Sequence, residues 1–134
     1  MHTQRFEVRT HTRDEMVDIT DRVHQAVAAS GVKEGTVTVF VPHTTAGVTI
    51  NENADPDVVH DILAVLDRIV PWRLEVYEHT EGNSAAHAKS SIVGCSKTLP
   101  VTAGQMVLGT WQAVYFCEFD GPRGRAFLVT VTGR

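Results

Sequence analysis

Three polar segments of the sequence, residues 42–46, 51–57 and 77–91, contain side chains that could bind a ligand or transfer protons. The candidate residues in these segments are His43, Thr44, Thr45, Glu52, Asn53, His79, His87, Lys89 and Ser91. Neutral imidazoles with a carboxylate are the usual ligands of zinc and related divalent metals, and they also serve as general acids and bases. The segments therefore raise two chemical alternatives, a metal site and a proton-transfer site.

Ordinary structural roles also remain open for these residues. The hydroxyls and the imidazole of residues 42–46 are typical of a solvated turn, and a polar loop such as 77–83 is often simply exposed. Lys89 either binds a phosphate or carboxylate as a mobile positive charge or is a solvated lysine on a helix. His79 and His87 converge only if the chain turns between them, and no compact ligand motif such as His-Glu-x-x-His is present.

Missing motifs remove the support for several enzyme classes. The sequence has no Gly-x-Ser-x-Gly elbow, no Walker-type phosphate loop and no Gly-x-Gly-x-x-Gly fingerprint. Serine hydrolase, P-loop and dinucleotide-binding functions therefore lack sequence support. Ser91 is accordingly interpreted as a helix residue or a ligand contact and not as a nucleophile.

Four residues late in the chain receive structural interpretations. Trp111 could form the wall of a pocket, although a large aromatic side chain more often packs in a core. Glu118 alternates with apolar neighbours, so we expect it to face away from the side that they bury. Arg123 and Arg125 flank a predicted hairpin turn and are most simply interpreted as exposed charges.

Apolar and β-branched residues are arranged in a way that predicts a strand-rich fold. Phe6 and Val8 alternate with polar residues, as a half-buried strand requires. Further extended segments are predicted at residues 16–19, 36–41, 48–50, 97–101, 106–108, 110–119 and 125–131. Asp120 and Gly121 mark a turn between the last two. The final four segments are therefore expected to be consecutive antiparallel strands.

Helices are predicted at three places between these strands. Thr20 is the expected N-cap of a modest helix that ends at Gly31. Asp55 and Pro56 begin the best-defined helix, in which apolar residues recur at helical spacing. Residues 84–92 show a weaker helical pattern. We therefore predict an α+β fold, a strand-rich antiparallel β-sandwich with two or three inserted helices.

Composition points to one domain that binds neither nucleic acid nor a membrane. The chain has 134 residues, 43% of them hydrophobic, and no linker or repeat divides it, so residues 1–134 are predicted to form one domain. Its net charge is -4 and no long basic run is present, whereas a nucleic-acid-binding domain needs a face rich in Lys and Arg to neutralise phosphates. The N-terminus has no signal-peptide core, which predicts a cytoplasmic protein. Cys95 and Cys117 are expected to be buried free thiols.

Taken together, the polar clusters resemble the YjbQ-like family, which is named for a secondary thiamine-phosphate synthase activity. The matching stretches are residues 43–46 (HTTA), 50–58 (INENADPDV), 79–83 (HTEGN), 86–91 (AHAKSS) and 108–112 (LGTWQ), with Glu118. They keep the family's order and cover the chain nearly end to end. The resemblance implies a jelly-roll-like β-sandwich that assembles as a homotrimer, with pockets near the subunit contacts.

The same resemblance implies a specific site. Its catalytic residues would be His43, Glu52, His79 and His87. The three histidines would be ligands of a divalent metal, zinc or magnesium, and the carboxylate would orient or complete the site. The residues expected to contact the substrate are Thr44, Thr45, Asn53, Lys89, Ser91 and Trp111.

Three functions follow as competing hypotheses. The first is a small-molecule enzyme with weak thiamine-phosphate synthase-type activity on phosphorylated substrates, with a physiological reaction that the fold does not fix. The second is a non-catalytic trimeric protein that binds a metal or a phosphorylated metabolite. The third is a structural trimer whose polar clusters are hydrogen bonds at subunit contacts.

Overall fold

Two antiparallel sheets and three helices make up the protein in a computed structural model that describes residues 1–134. The strands are β1 (His2–Arg9), β2 (Glu15–Asp18), β3 (Gly35–Phe40), β4 (Ala46–Glu52), β5 (Ser96–Thr102), β6 (Gln105–Met106), β7 (Gln112–Glu118) and β8 (Gly124–Gly133). The helices are α1 (Thr20–Ser30), α2 (Pro56–Ile69) and α3 (Ser84–Val93).

The main core lies between the two sheets. The larger sheet has the strand order β1-β8-β3-β5-β6 and the smaller one the order β2-β7-β4. Alternate residues of β3, including Val37 and Val39, are fully buried on one face, as are Val129 and Val131 of β8. Helix α1 adds Val23, Ala26 and Val27 to the same core. This is the period-two burial that β-branched residues favour on a pleated surface.

Strand β7 is covered on both faces. Val114 and Phe116 belong to the core between the sheets. Ala113, Tyr115 and Cys117 belong to a second cluster, which also contains residues of α2 and α3. A central strand buried on both sides carries a nearly continuous apolar run, and this run is what the sequence shows at residues 113–117.

Helix α2 begins as the sequence predicts. Asp55 is the N-cap, its carboxylate accepts a 2.9 Å hydrogen bond from the backbone N–H of Asp57, and Pro56 occupies the first helical position. The apolar stripe of α2 packs partly against the second cluster. Helix α1 also includes the predicted residues, although Ile19 and not Thr20 is its N-cap.

The predicted α+β class, the antiparallel sheets and the inserted helices are confirmed, with element boundaries shifted by a few residues. The predicted run of four consecutive antiparallel strands is wrong after β6, because β7 pairs with β2 and β4 in the smaller sheet and β8 pairs with β1 and β3 in the larger one. The turn at Asp120 and Gly121 therefore connects the two sheets and is not a hairpin turn. The jelly-roll-like layout stays a prediction. None of the three helices combines the length and the apolar character that crossing a bilayer demands.

Two interpretations of single side chains are wrong. Trp111 is not a core residue, because 64% of it is exposed just before β7. Cys95 is exposed, whereas Cys117 is buried as predicted. Cys95 lies in the short link between α3 and β5, outside both hydrophobic clusters.

Candidate functional site

Four chain segments meet around a polar cavity of about 390 Å³. They are the β3–β4 turn, the loop before α3, the first turn of α3 and the connection between β7 and β8. The turn contributes His43, the loop His79, the helix His87 and the last connection Arg123 and Arg125. Three of the four predicted catalytic residues thus line one cavity within a single chain.

His43 is held in place by the backbone of β8. Its Nε2 accepts a 3.0 Å hydrogen bond from the N–H of Ala126, and its ring lies edge-on to that of Phe116, with 6.4 Å between ring centroids. Since Nε2 accepts a bond, the neutral ring carries its proton on Nδ1. His43 therefore offers a hydrogen-bond donor and has no free nitrogen lone pair.

Burial and the nearby positive charge keep His43 neutral. Desolvation, followed by the charges of Arg125 and Arg5, lowers the pKa of His43 below its ordinary value of 6.5. The carboxylate of Glu118 acts in the opposite direction but does not outweigh these effects.

His79 and His87 form a pair on the other side of the cavity. Their rings are nearly perpendicular, with 5.4 Å between centroids. The side chain of His79 is 42% exposed, and its Nε2 lies 4.0 Å from a carboxylate oxygen of Glu81. Both rings are free of hydrogen bonds to the backbone, so they can meet a ligand that enters from solvent.

A buried ion pair forms the inner wall. Arg125 donates to both carboxylate oxygens of Glu118, and its Nη2 lies 2.7 Å from the hydroxyl of Thr45. Glu118 also accepts a 2.7 Å bond from the hydroxyl of Thr10 and a 3.0 Å bond from the N–H of Asp120. The network connects the β3–β4 turn to the β7–β8 connection, and it fixes the position of the Arg125 guanidinium.

Hydrogen bonding decides the ionisation of Glu118. Burial by itself would raise the pKa of Glu118, but hydrogen bonds from Arg125, Thr10 and Asp120 outweigh it and lower the pKa below the ordinary value. Glu118 and Arg125, which the sequence suggested were exposed, are both buried. The earlier interpretation is wrong because β7 has no solvent-facing side.

Asn83 has an unsatisfied polar atom behind the cavity. Its side-chain N–H donates to Asp120 at 2.8 Å, while its carbonyl oxygen Oδ1 is buried and has no hydrogen-bond partner. Asp120 also binds the guanidinium of Arg123 at 3.1 Å. A buried acceptor without a partner costs about 1–3 kcal/mol, and this oxygen lies behind the cavity surface, where a molecule in the cavity does not touch it.

Glu52 does not join the histidines within one chain. It ends β4, whereas the cavity lies beyond the first residue of that strand, and seven extended residues separate the two ends by about 20 Å. Asn53 and Trp111 lie with Glu52, since the N–H of Asn53 donates to the carbonyl of Trp111 at 3.2 Å. These three predicted site residues form a separate surface.

Lys89 and Ser91 are also outside the cavity. The Lys89 ammonium is buried and lies 3.0 Å from a carboxylate oxygen of Asp14 and 3.0 Å from one of Asp67. It is therefore neither a solvated lysine nor a mobile charge for a phosphate. The Ser91 hydroxyl is exposed and donates to the carbonyl of His87. Of the predicted substrate contacts, only Thr44 and Thr45 line the cavity, and the Thr45 hydroxyl already binds Arg125.

The predicted three-histidine metal set does not fit one chain. No group of three His, Cys, Asp or Glu side chains is arranged to hold a metal ion. His43 is committed to the Ala126 N–H through Nε2, which leaves His79 and His87 as the only histidines of the cavity with free ring nitrogens. A zinc ion needs four ligands, so two of them would have to come from elsewhere.

Several residues of the cavity were not assigned to the site from the sequence. They are Glu81, Asn83, Asp120, Arg123, Arg125 and, behind them, Thr10 and Glu118. One signal was present, because a carboxylate at the end of an apolar run requires a buried partner, and an arginine follows seven residues later. Thr10 carries no comparable signal.

The fold and the cavity define a small α+β domain with a cavity lined by histidines and arginines. The sequence matches the family described as UPF0047 protein YjbQ-like over residues 4–134. The UPF0047 protein YugU of Bacillus subtilis is 50% identical over 128 residues, which are 96% of this chain and 97% of that protein. A UPF0047 protein of Methanocaldococcus jannaschii is 50% identical over 131 residues, 96% of this chain and 93% of that protein. The chain belongs to the YjbQ-like family.

Solved structures agree with this assignment. A conserved protein of the YjbQ/UPF0047 family from Clostridium acetobutylicum has a TM-score of 0.94 and 50% identity, covering 96% of this chain and 99% of that one. A YbjQ-like protein from Sulfolobus solfataricus has a TM-score of 0.96 and 34% identity, covering 99% and 97%.

Proposed function

We propose that the cavity is the active site of a small-molecule enzyme that acts on phosphorylated substrates and has a weak thiamine-phosphate synthase-type activity. The observation that carries this proposal is the convergence of three histidines and two arginines from four chain segments on one cavity. The family resemblance supports the type of reaction, in which the thiazole nitrogen of a thiazole phosphate forms a bond to the methylene carbon of a pyrimidine diphosphate and pyrophosphate leaves.

Each side chain has a role that fits its environment. Arg123 and Arg125 bind the phosphate, because guanidinium groups match phosphate oxygens in charge and geometry. His79 and His87 exchange protons with the reacting groups, since both are open to the cavity and an imidazole can both donate and accept a proton. His43, neutral and protonated on Nδ1, donates a hydrogen bond. Glu118 is a positioning residue that acts through Arg125.

A homotrimer is part of this proposal. Glu52, Asn53 and Trp111 lie on a separate surface of the chain and would reach a cavity only if that cavity belonged to a neighbouring subunit. An inactive His79→Ala chain mixed with an inactive Glu52→Gln chain should then regain activity in mixed trimers. Two variants that stay inactive together, at a measured mass of three chains, would limit the site to one subunit.

Product formation tests the proposal directly. Purified protein is incubated with the pyrimidine diphosphate and the thiazole phosphate, and thiamine phosphate is measured by chromatography. His79→Ala and His87→Ala should each reduce the rate by about 100-fold or more, the usual contribution of a general acid or base. His60→Ala is the matched control, because His60 is exposed on α2 and contacts only Asp61. Equal rates in all three folded variants would refute the assignment.

The second candidate is a protein that binds a metal without turnover. It is favoured by the spacing of His79 and His87, whose ring centroids are 5.4 Å apart, a separation that allows one divalent cation to bind both at about 2.0–2.1 Å. Elemental analysis of tag-free protein that has not met a chelator tests it. About one zinc per chain that is lost in His79→Ala and retained in His60→Ala supports this candidate. Metal-free protein with synthase activity excludes it.

A further inference from the structure

A second cavity lies on the opposite side of His43. It has a volume of about 560 Å³ and lies where the second half of β1, helix α1 and the start of β8 meet. It is lined by Arg5 and Arg9 of β1, by Arg22 of α1 and, at its edge, by Arg125. Glu7 is its one carboxylate. We call this cavity the arginine cleft.

Two arginines of the arginine cleft, Arg9 and Arg22, carry uncompensated positive charge. Arg5 lies 3.3 Å from the carboxylate of Glu7. Arg22 donates to the backbone carbonyl of Glu7, which orients its guanidinium but cancels no charge. Neither Arg9 nor Arg22 has a carboxylate oxygen within 4.0 Å. In a chain with a net charge of -4, Arg5, Arg9 and Arg22 therefore line one concave site with a single carboxylate, while Arg125 at its edge is already paired with Glu118.

Strand geometry explains why these charges point into one space. Arg5, Glu7 and Arg9 alternate along β1 with Phe6 and Val8, which pack against the core, so the three charged side chains lie on the other face. Gly124 pairs with Arg9 across the sheet, and a Cβ added there would meet only the guanidinium of Arg9, at 3.9 Å. The floor beneath Arg9 is therefore open.

We infer that the arginine cleft binds a small phosphate-bearing anion at a site distinct from the histidine-lined cavity. Guanidinium groups bind phosphate oxygens through paired N–H donors, and here they come from two separate elements around a concavity of metabolite size. A concave site favours a small soluble anion over an extended membrane surface. His43 and Arg125 line both cavities, so an anion in the cleft lies against the same two side chains that the proposed active site uses.

Pyrophosphate is the probe for this inference, and its binding is measured by isothermal titration calorimetry at low ionic strength. We expect one site per chain in the arginine cleft, separate from any binding by Arg123 in the histidine-lined cavity. Arg9→Gln and Arg22→Gln should each weaken binding by about tenfold, whereas Glu7→Gln should strengthen it because the only opposing charge is removed. Arg9 has no side-chain partner, so Arg9→Gln tests the inference without loss of a structural contact. Arg68→Gln, an exposed arginine at the end of α2, is the charge-matched control.

Three outcomes would overturn the inference. Equal weakening by Arg68→Gln and Arg9→Gln would mean that pyrophosphate responds only to overall charge. Loss of binding in His79→Ala, with normal binding in Arg9→Gln and Arg22→Gln, would place the anion in the histidine-lined cavity. Cosedimentation with phosphatidylglycerol vesicles in the absence of pyrophosphate binding would assign the cleft to a membrane surface. Because the active-site proposal is tested by product formation in the histidine variants, either idea can fail without the other.

Discussion

Two buried ion pairs of this protein differ in what surrounds them. Glu118 and Arg125 are 0% and 5% exposed, and both carboxylate oxygens of Glu118 and the Nε and Nη2 of Arg125 have protein partners. Lys89 is 1% exposed, but its partners Asp14 and Asp67 are 16% and 50% exposed and remain in contact with water. The first pair forms the wall of the histidine-lined cavity, whereas the second joins α3 to α2 and the β1–β2 connection.

The two ion pairs differ in role, because Arg125 lines the cavity whereas Lys89 only connects structural elements. A fully enclosed pair cannot recover hydration when one partner is lost, so it is expected to be far more sensitive to substitution. In the pairing of Lys89 with Asp14 and Asp67, the two carboxylates can be hydrated by water when the lysine is lost. Buried charge alone therefore does not mark a functional residue, and access to a cavity must be added to it.

Removal of Glu118 should have the largest effect on stability. Glu118→Ala leaves Arg125 charged and enclosed, and it also leaves Thr10 without its acceptor. We expect the free energy of unfolding to fall by about 3–5 kcal/mol. Urea unfolding measures this fall, with the exposed Glu75→Ala as control. A loss under about 1 kcal/mol would show that the pair is not needed by the fold.

Removal of Lys89 should cost less than removal of Glu118. Lys89→Met keeps the apolar length of the side chain, and Asp14 and Asp67 can turn toward solvent. The expected loss in free energy of unfolding is about 1–2 kcal/mol, below the value for a fully enclosed pair. The proposed synthase activity should persist, because Lys89 does not line the cavity. A Lys89→Met protein that is folded but inactive would reverse the functional distinction between the two pairs.

The pH dependence of stability tests the neutral state of His43 beside Arg125. The unfolded chain takes up a proton at His43 near the ordinary pKa of 6.5, while the folded ring, whose pKa is lowered by burial and by Arg125, takes it up only at lower pH. The unfolded state therefore binds more protons in this interval, and the free energy of unfolding should fall as pH decreases from about 7 to 5.5.

Substitution isolates this effect from the other histidines. His43→Leu should flatten the pH dependence over that interval, whereas His60→Leu should leave it unchanged. The contribution of Glu118 has a different window, since its lowered pKa makes that stabilisation disappear only at pH values below the ordinary carboxyl pKa. An unchanged slope in His43→Leu would contradict a neutral His43.

Cys117 gives the smallest expected effect and contrasts with its neighbour Glu118. Both side chains are buried, but at Cys117 burial outweighs the charge of Lys97 and a backbone hydrogen bond at Thr49, and it raises the pKa of Cys117 to about 12. A thiol reagent applied to the folded protein near neutral pH should modify about one thiol per chain, at the exposed Cys95. Cys95→Ser should abolish this fast reaction. Two fast thiols in the native protein would show that the second cluster is not closed.

The sequence predicts the fold better than the site. Helix α2 is recognised because Asp55, Pro56 and the apolar spacing are local signals. Glu118 was misread for a long-range reason, since nothing local reveals that helices cover the outer face of β7 and that Arg125 lies opposite it. Histidines in separate segments could be named as candidates from the sequence. Their neighbours depend on how distant segments pack in the fold, and the spacing of residues along the chain does not reveal this. Glu52 has a carboxylate that could complete a histidine site, but it lies at the end of β4 that is remote from the cavity.

The central claim is that His43, His79 and His87 share one ligand-binding cavity. The most direct test is side-chain NMR of ¹⁵N-histidine-labelled protein while the thiazole phosphate is added. The signals of His43, His79 and His87 should move together and saturate at one ligand per chain, while those of His24 and His60, which lie outside the cavity, stay fixed. Unmoved signals from His79 and His87, or equal movement of all histidines, would contradict the claim.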